Sequence, residues 1–196
     1  MANYMIWKSN GKPNVLLIKN TDLYIVSHGQ YLGTTEVLND KAACAGCKSV
    51  TREYALANLD TQPASVALAA LQGDPSIDWV WCFDSCMSRV ARSLVASGIG
   101  SKVRGAGFDC NGENVQLIQQ GQIQAVCAAD PRDWEGYALV DNLNRMLHGQ
   151  SAVEQNIPIR MFDKDTIGRL SPNEVQHGWQ GDFDFRSQYK KLWGVS

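Results

Sequence analysis

The chain has 196 residues, of which 44% are apolar and 19% are charged, and its formal net charge is −2. This length suits one substantial domain with a buried core and leaves little room for a second. The balanced charge excludes a nucleic-acid binder that depends on phosphate neutralisation, and the apolar share excludes a disordered chain. No apolar run is long enough to span a membrane, and the first residues lack the features of a secretory signal.

Short β-branched and aromatic runs alternate with amphipathic segments along most of the chain. The β-branched and aromatic runs predict buried strands, and the amphipathic segments predict helices that cover a sheet. The predicted strands cover 15–18, 49–55, 79–83, 103–108, 123–128 and 157–162. The predicted helices cover 25–38, 63–71, 87–97, 114–120 and 134–147. This order predicts an α/β fold with three αβα layers and a mainly parallel sheet of five or six strands.

The pattern changes after Gly149, where the chain becomes polar and no further helix repeats the alternation. Four aromatic residues stand near its end, at Phe183, Phe185, Tyr189 and Trp193. We expect residues 150–196 to supply a returning strand and a tail that wraps the domain.

Polar residues directly follow the predicted strands. Phe83-Asp84 and Phe108-Asp109 repeat one pair at two strand ends, and Asp130 follows a third. Ligands of open parallel sheets bind at the carboxyl ends of the strands. A ring can cover the apolar face of a sugar while a carboxylate accepts two hydroxyl hydrogen bonds. Asp84 and Asp109 are also typical helix caps, and the two roles can coexist.

No motif for catalysis or nucleotide binding accompanies these aspartates. The chain has no phosphate-binding glycine motif and no nucleophile elbow, and its three histidines are scattered. Asp84 and Asp109 could act as an acid and a base, but no third group that would orient them is visible. We therefore expect a protein that is not an enzyme, with no catalytic residue, no metal and no cofactor.

Six cysteines are too few for a disulfide scaffold. Cys44 and Cys47 form a C-x-x-C pair, for which a redox motif, half a zinc site, free thiols or a local disulfide are the alternatives. A local disulfide is favoured if the compartment is oxidising. The other cysteines lie in apolar surroundings and are interpreted as small buried side chains: Cys82, Cys86, Cys110 and Cys127.

Four segments stand in a specific order between residues 78 and 149. They are WVWCFDSCMSRVARSLVASG, GAGFD, QQGQIQAVCAADP and WEGYALVDNLNRMLHG. Their order, spacing and residue types resemble the ribose-binding family of type I periplasmic sugar-binding proteins. Residues 14–77 follow the family more loosely, and the terminal SQYKKLWGVS is similar to the secreted ABC-transporter branch rather than the repressors of the same fold.

The resemblance implies a solute-binding component of an ABC-type uptake system, with a sugar as its ligand, an ABC permease as the partner of the parent protein and a periplasmic or extracytoplasmic location. It implies ligand contacts at Phe83, Asp84, Asp109, Gln30 and Gln62. Asp109 matches the family directly, and Asp84 matches the aspartate of the family's polar pair.

Three positions depart from the family pattern. Phe83 replaces a typical Asn, Gln30 replaces a ligand-binding Arg, and Ala129 replaces a Gln. Gln62 lies in the loop that often carries a ring-stacking residue. These departures weaken the case for ribose itself and leave the ligand open. A ligand-sensing lobe of a regulator is the alternative function, although no helix-turn-helix precedes residue 14, as a repressor of this fold would require. An enzyme that uses Asp84 and Asp109 is a further alternative.

The family has two lobes that clamp the ligand between them. The resemblance implies that residues 1–131 are the second lobe and that the helix in 132–149 would belong to a missing first lobe. Without that lobe, the apolar face of this helix needs another partner. We expect the helix either to fold back on its own lobe or to pair with a second copy, which predicts a homodimer through 132–149.

Overall fold

The computed structural model describes residues 1–195, and the side chains of Val26, Ser27 and Asp84 lie outside that description. The strands are β1 Asn14–Asn20, β2 Lys48–Tyr54, β3 Trp79–Phe83, β4 Arg104–Asp109, β5 Gln124–Ala129 and β6 Arg160–Asp163. The α-helices are α1 Ala2–Lys8, α2 Tyr31–Asn39, α3 Gln62–Gly73, α4 Asp84–Ala96, α5 Gly112–Gln119, α6 Arg132–Leu147, α7 Pro172–His177 and α8 Phe185–Trp193. None of the helices in this described part combines the length and apolarity needed to cross a bilayer.

The six strands form one sheet in the order β2-β1-β3-β4-β5-β6. Strands β1 to β5 are parallel to their neighbours, and β6 runs antiparallel to β5. Both faces of the sheet are buried, because Val15 and Leu17 pack into one apolar cluster while Leu16 and Ile18 pack into another. Burial on both faces explains why these strands read as continuous apolar runs. The predicted α/β fold class and mainly parallel sheet are confirmed.

The sequence analysis missed helices α7 and α8 of the tail. Helix α1 is the third element that it missed. It has only seven residues, and its buried residues are Ala2 and Met5, so its apolar periodicity is too short to recognise. A second difference lies before α2, where Ile25–Gln30 forms a π-helix within the helix predicted over 25–38. The remaining predicted boundaries differ by a few residues, which is usual at fraying helix ends.

Helix α6 packs on the tail of the same chain rather than on the sheet. The Trp134 and Phe185 rings stack with centroids 5.6 Å apart, and Tyr137 stacks on Trp193 at the same separation. The opposite side of the helix is exposed, and we call it the aliphatic face: Leu139, Val140, Leu143, Met146 and Leu147. The tail therefore covers one side of α6, and a partner for the aliphatic face stays a prediction.

All six cysteines are paired as disulfides, Cys44–Cys47, Cys82–Cys86 and Cys110–Cys127. The last four are buried, as the sequence analysis predicted, and their pairing is an addition that it did not predict. The sequence could not show the pairing, because it depends on the turn from β3 into α4 and on the neighbouring positions of β4 and β5. For Cys44 and Cys47, the local disulfide is the alternative that the structure supports.

The packing of α6 on the tail predicts that Phe185→Ala destabilises the protein much more than Phe183→Ala. Phe185 is 2% exposed and Phe183 is 54% exposed, although both rings contact Trp134. Removing a buried Phe side chain typically costs about 3–5 kcal/mol, and we expect less than about 1 kcal/mol at the exposed site. Urea unfolding followed by circular dichroism measures both values. Equal losses would contradict this packing.

Candidate ligand-binding site

The carboxyl ends of β4 and β5 open on a cavity of about 430 Å3. Its walls come from these strand ends, from the first residues of α1, from the segment that leads into α2 and from Ile159. Gln30, Asp109, Asp130 and Glu135 supply the functional side chains that line it. The cavity lies where ligands of parallel α/β sheets generally bind, and its size suits a small solute.

Asp109 and Gln30 meet at this cavity, although 79 positions separate them in the sequence. The Gln30 Nε2 group donates a hydrogen bond of 3.2 Å to Asp109 Oδ1. Asp109 ends β4 with a positive φ of 68°, so the chain turns sharply at the edge of the sheet. Gln30 ends the π-helix and directly precedes α2. The structure thus brings together two of the five predicted ligand contacts.

Arg132 links the carboxylates of the site from the first turn of α6. Its Nη2 lies 3.1 Å from Asp109 Oδ1, and its Nε lies 3.3 Å from Asp130 Oδ2. Its Nη1 lies 3.8 Å from Glu135 Oε2. The sequence analysis did not single out Arg132 or Glu135. Their position in the helix that follows β5, at the same edge as Asp109, was the signal that could have identified them.

Asp130 combines burial with an unsatisfied acceptor. Burial raises its pKa to about 6, Arg132 opposes this increase, and the nearby charge of Glu135 adds to it. Asp130 Oδ1 and Gln30 Oε1 are both buried, and neither has a hydrogen-bond partner in the part of the chain that the structure describes. Buried acceptors of this kind are costly unless a donor satisfies them. Hydroxyl or ammonium groups of a ligand in the cavity would be such donors.

The other predicted contacts lie elsewhere. Phe83 is 6% exposed, and its ring packs against Tyr54 in the core, so Phe108 supplies the aromatic wall of the cavity instead. Gln62 begins α3 and accepts a hydrogen bond of 3.2 Å from Asn58. The prediction for the Asp84 side chain lies outside the described residues. Of the predicted contacts, Gln30 and Asp109 therefore line the cavity, and Phe83 and Gln62 do not.

The site offers hydrogen-bond partners, with carboxylates, an amide and a guanidinium that bridges them. Among the described residues, no group of three His, Cys, Asp or Glu side chains has the arrangement that could hold a metal ion. What the geometry can do is recognise a ligand rich in hydroxyl or other donor groups, because three carboxylates are among the polar groups of the lining.

Residues 1–151 match the family model for the periplasmic binding protein domain. The match covers well over half of the chain, and the chain belongs to this family. No curated protein sequence matches it.

Solved structures show the same fold. An ABC sugar transporter subunit from Rhodobacter sphaeroides is 24% identical with a TM-score of 0.71, over 84% of this chain and 60% of that one. A carbohydrate transporter solute-binding protein from Agrobacterium radiobacter, in complex with D-arabinose, is 17% identical with a TM-score of 0.72, over 89% and 59%. An ABC transporter solute-binding protein from Bacillus halodurans with bound myo-inositol is 15% identical with a TM-score of 0.74, over 86% and 57%.

The chain spans at most 60% of the length of these three structures. The similarity therefore does not establish the activity, the ligand or the partners of the whole protein.

The raised pKa of Asp130 predicts a pH-dependent effect of Asp130→Asn. An acid whose pKa rises on folding stabilises the fold fully below its unfolded pKa, and this contribution is lost as pH increases through about 6. At pH 7.5 the neutral amide should raise the free energy of unfolding by about 1 kcal/mol, after allowance for solvent and Arg132. At pH 4 the gain should vanish.

Urea unfolding at both pH values measures this difference, with Asp165→Asn at an exposed position as the matched control. A gain that is the same at both pH values would contradict the assignment to Asp130.

Proposed function

We propose that this chain is the ligand-binding lobe of the carbohydrate-binding component of an ABC-type uptake system. Gln30, Asp109 and Asp130 contact the solute in the cavity at the carboxyl edge of the sheet. The observation that carries the proposal is the Gln30–Asp109 hydrogen bond at the carboxyl end of β4, in a cavity of about 430 Å3.

The chemistry of the lining supports a polyhydroxylated ligand. A carboxylate can accept two hydroxyl hydrogen bonds, and each is strengthened by its charge. Asp109 and Asp130 place two such groups at adjacent strand ends. Solved relatives hold D-allose, D-arabinose and myo-inositol, which all have this character. Asp84 begins α4 at the same edge and stands as a further proposed contact, whereas Gln62, which begins α3, lies outside the cavity lining.

We propose that the protein binds its ligand without catalysing a reaction and that it does so outside the cytoplasm. The family to which the chain belongs consists of periplasmic binding proteins. Three disulfides support an oxidising compartment, because reducing systems keep cytosolic thiols free. In this setting the partner of the whole protein would be an ABC permease, which receives the solute.

The proposal predicts that D-arabinose, D-allose or myo-inositol binds at the cavity and that Asp109→Ala weakens this binding about tenfold or more. One lobe provides only part of a clamp, so we expect dissociation constants of about millimolar. Two-dimensional NMR titration detects such binding and should shift the backbone amide of Asp109 and the side-chain amide of Gln30. D-glucosamine belongs in the panel, because three carboxylates line the cavity.

Asp165→Asn, on the exposed surface and outside the cavity lining, is the control variant and should bind as the wild type does. Shifts that fall elsewhere, or no shift with any member of the panel, would contradict the proposed function.

We further propose that a second copy of the chain covers the aliphatic face of α6. In a two-lobed relative the corresponding face would meet the first lobe. From the same resemblance we propose that residues 1–131 form the second lobe, that 132–149 would belong to the first lobe and that 150–196 form a returning strand and a wrapping tail. Leu143 is 57% exposed near the middle of the face. In an antiparallel pairing of two α6 helices, Leu143 of each copy would meet its counterpart near the centre of the contact.

This pairing predicts a dimer that dissociates on dilution and that Leu143→Glu abolishes, because a charge would be buried at its centre. Light scattering coupled to size exclusion, over a dilution series, measures the mass. Trp7→Glu changes an apolar residue that is 65% exposed on α1 and should leave the dimer intact. A monomer at every concentration would contradict the pairing.

A further inference from the structure

The turn that follows β4 carries the site carboxylate and is tied to the neighbouring strand. Asp109 is the last residue of β4, and Cys110, the next residue, is bonded to Cys127 in β5. The β4–β5 register places Asp109 opposite Ala129 and Gly107 opposite Cys127. A straight strand would carry Cys110 past Ala129, so the chain must turn back to reach Cys127.

The backbone conformation shows that this turn needs support. Asp109 and Cys110 have positive φ values of 68° and 52°. Left-handed conformations are disfavoured for residues with a side chain, and two in succession persist only where the surroundings fix them. The Cys110–Cys127 bond supplies such a constraint at the residue directly after the site carboxylate.

Burial makes the constraint rigid. Cys110 and Cys127 are 1% and 0% exposed, in a cluster that includes Phe162 and Trp179 from the tail. On the far side of the turn, the Asn111 side chain accepts hydrogen bonds from the first backbone amides of α5. The turn is therefore held between a covalent bond on one side and a capped helix on the other.

The Cys44–Cys47 bond provides an internal comparison. It lies in the loop that precedes β2, at the amino ends of the parallel strands and therefore at the opposite edge of the sheet. Neither cysteine lines the cavity. Its removal changes the number of disulfides without touching the turn that carries Asp109.

We propose that Cys110 and Cys127 are positioning residues for the ligand site. Their disulfide holds the Asp109 carboxylate at the cavity, where it meets Gln30 and Arg132. The role in ligand binding rests on the proposed function, whereas the position of Asp109 can be measured without any ligand. Loss of the bond would let the turn relax toward ordinary backbone conformations and move the carboxylate away from Gln30.

The first measurement tests the bond itself. Wild-type protein is denatured and alkylated without a reductant, and its peptides are analysed by mass spectrometry. The proposal predicts that the Cys110 and Cys127 peptides are recovered joined and unmodified. Recovery of both as alkylated thiols would overturn it.

The second measurement compares Cys110→Ala/Cys127→Ala with Cys44→Ala/Cys47→Ala. The side-chain amide resonance of Gln30 reports its hydrogen bond to Asp109 and requires no ligand. We expect this resonance to move in the first double variant and to stay at its wild-type position in the second. An unchanged Gln30 resonance in both would overturn the positioning role, whatever happens to thermal stability.

Affinity for D-arabinose adds a functional readout. The Cys110/Cys127 variant should bind about tenfold more weakly than the control variant, because a misplaced carboxylate loses its charge-assisted hydrogen bonds. If wild-type protein binds no sugar while the Gln30 resonance moves as expected, the positioning role stands and the proposed function fails. Equal affinities in the two variants would overturn the role in binding.

Should the double variant fail to fold, the single variants Cys110→Ala and Cys127→Ala break the same bond and each keep one native side chain. Loss of folding in these variants as well would show that the bond supports the whole domain rather than the turn, and would overturn the proposal.

Discussion

The alignment of parallel strand ends is the constraint on which the rest of this structure depends. Because β4 and β5 run side by side in the same direction, the residues that leave them meet at one edge of the sheet. Asp109 and Asp130 come together for this reason, and Arg132, at the start of the next helix, can bridge both. Gln30 joins them from the segment that follows β1. The site is therefore a product of topology more than of any local motif.

The sequence predicted the parts of this arrangement that depend on periodicity. Apolar strands buried on both faces, and the repeated Phe-Asp at two strand ends, led directly to the sheet and to Asp109. The two phenylalanines show the limit of that reasoning. Phe83 and Phe108 occupy paired positions on β3 and β4, yet Phe83 packs in the core and Phe108 lines the cavity. The two rings belong to different apolar clusters of the sheet, and a strand pattern does not contain that information.

Pairings between distant residues also escaped prediction. The Cys110–Cys127 bond depends on the β4–β5 register and on a turn with two positive φ values. The spacing of the cysteines in the sequence predicts neither of these features. The contact between α6 and α8 is made by aromatic rings, and in the sequence these rings are only scattered residues of a polar tail. The tail supplies a core for one side of α6, and its aliphatic face remains the largest apolar surface that this helix exposes.

A crystal structure of the protein soaked with D-arabinose tests the central claim most directly. The account predicts that sugar hydroxyls lie within hydrogen-bonding distance of the Asp109 carboxylate and of Gln30 Oε1 or Asp130 Oδ1, two acceptors of the cavity without a partner among the described residues. A sugar bound at another surface, with the Gln30–Asp109 hydrogen bond unchanged and no density in the cavity, would contradict it.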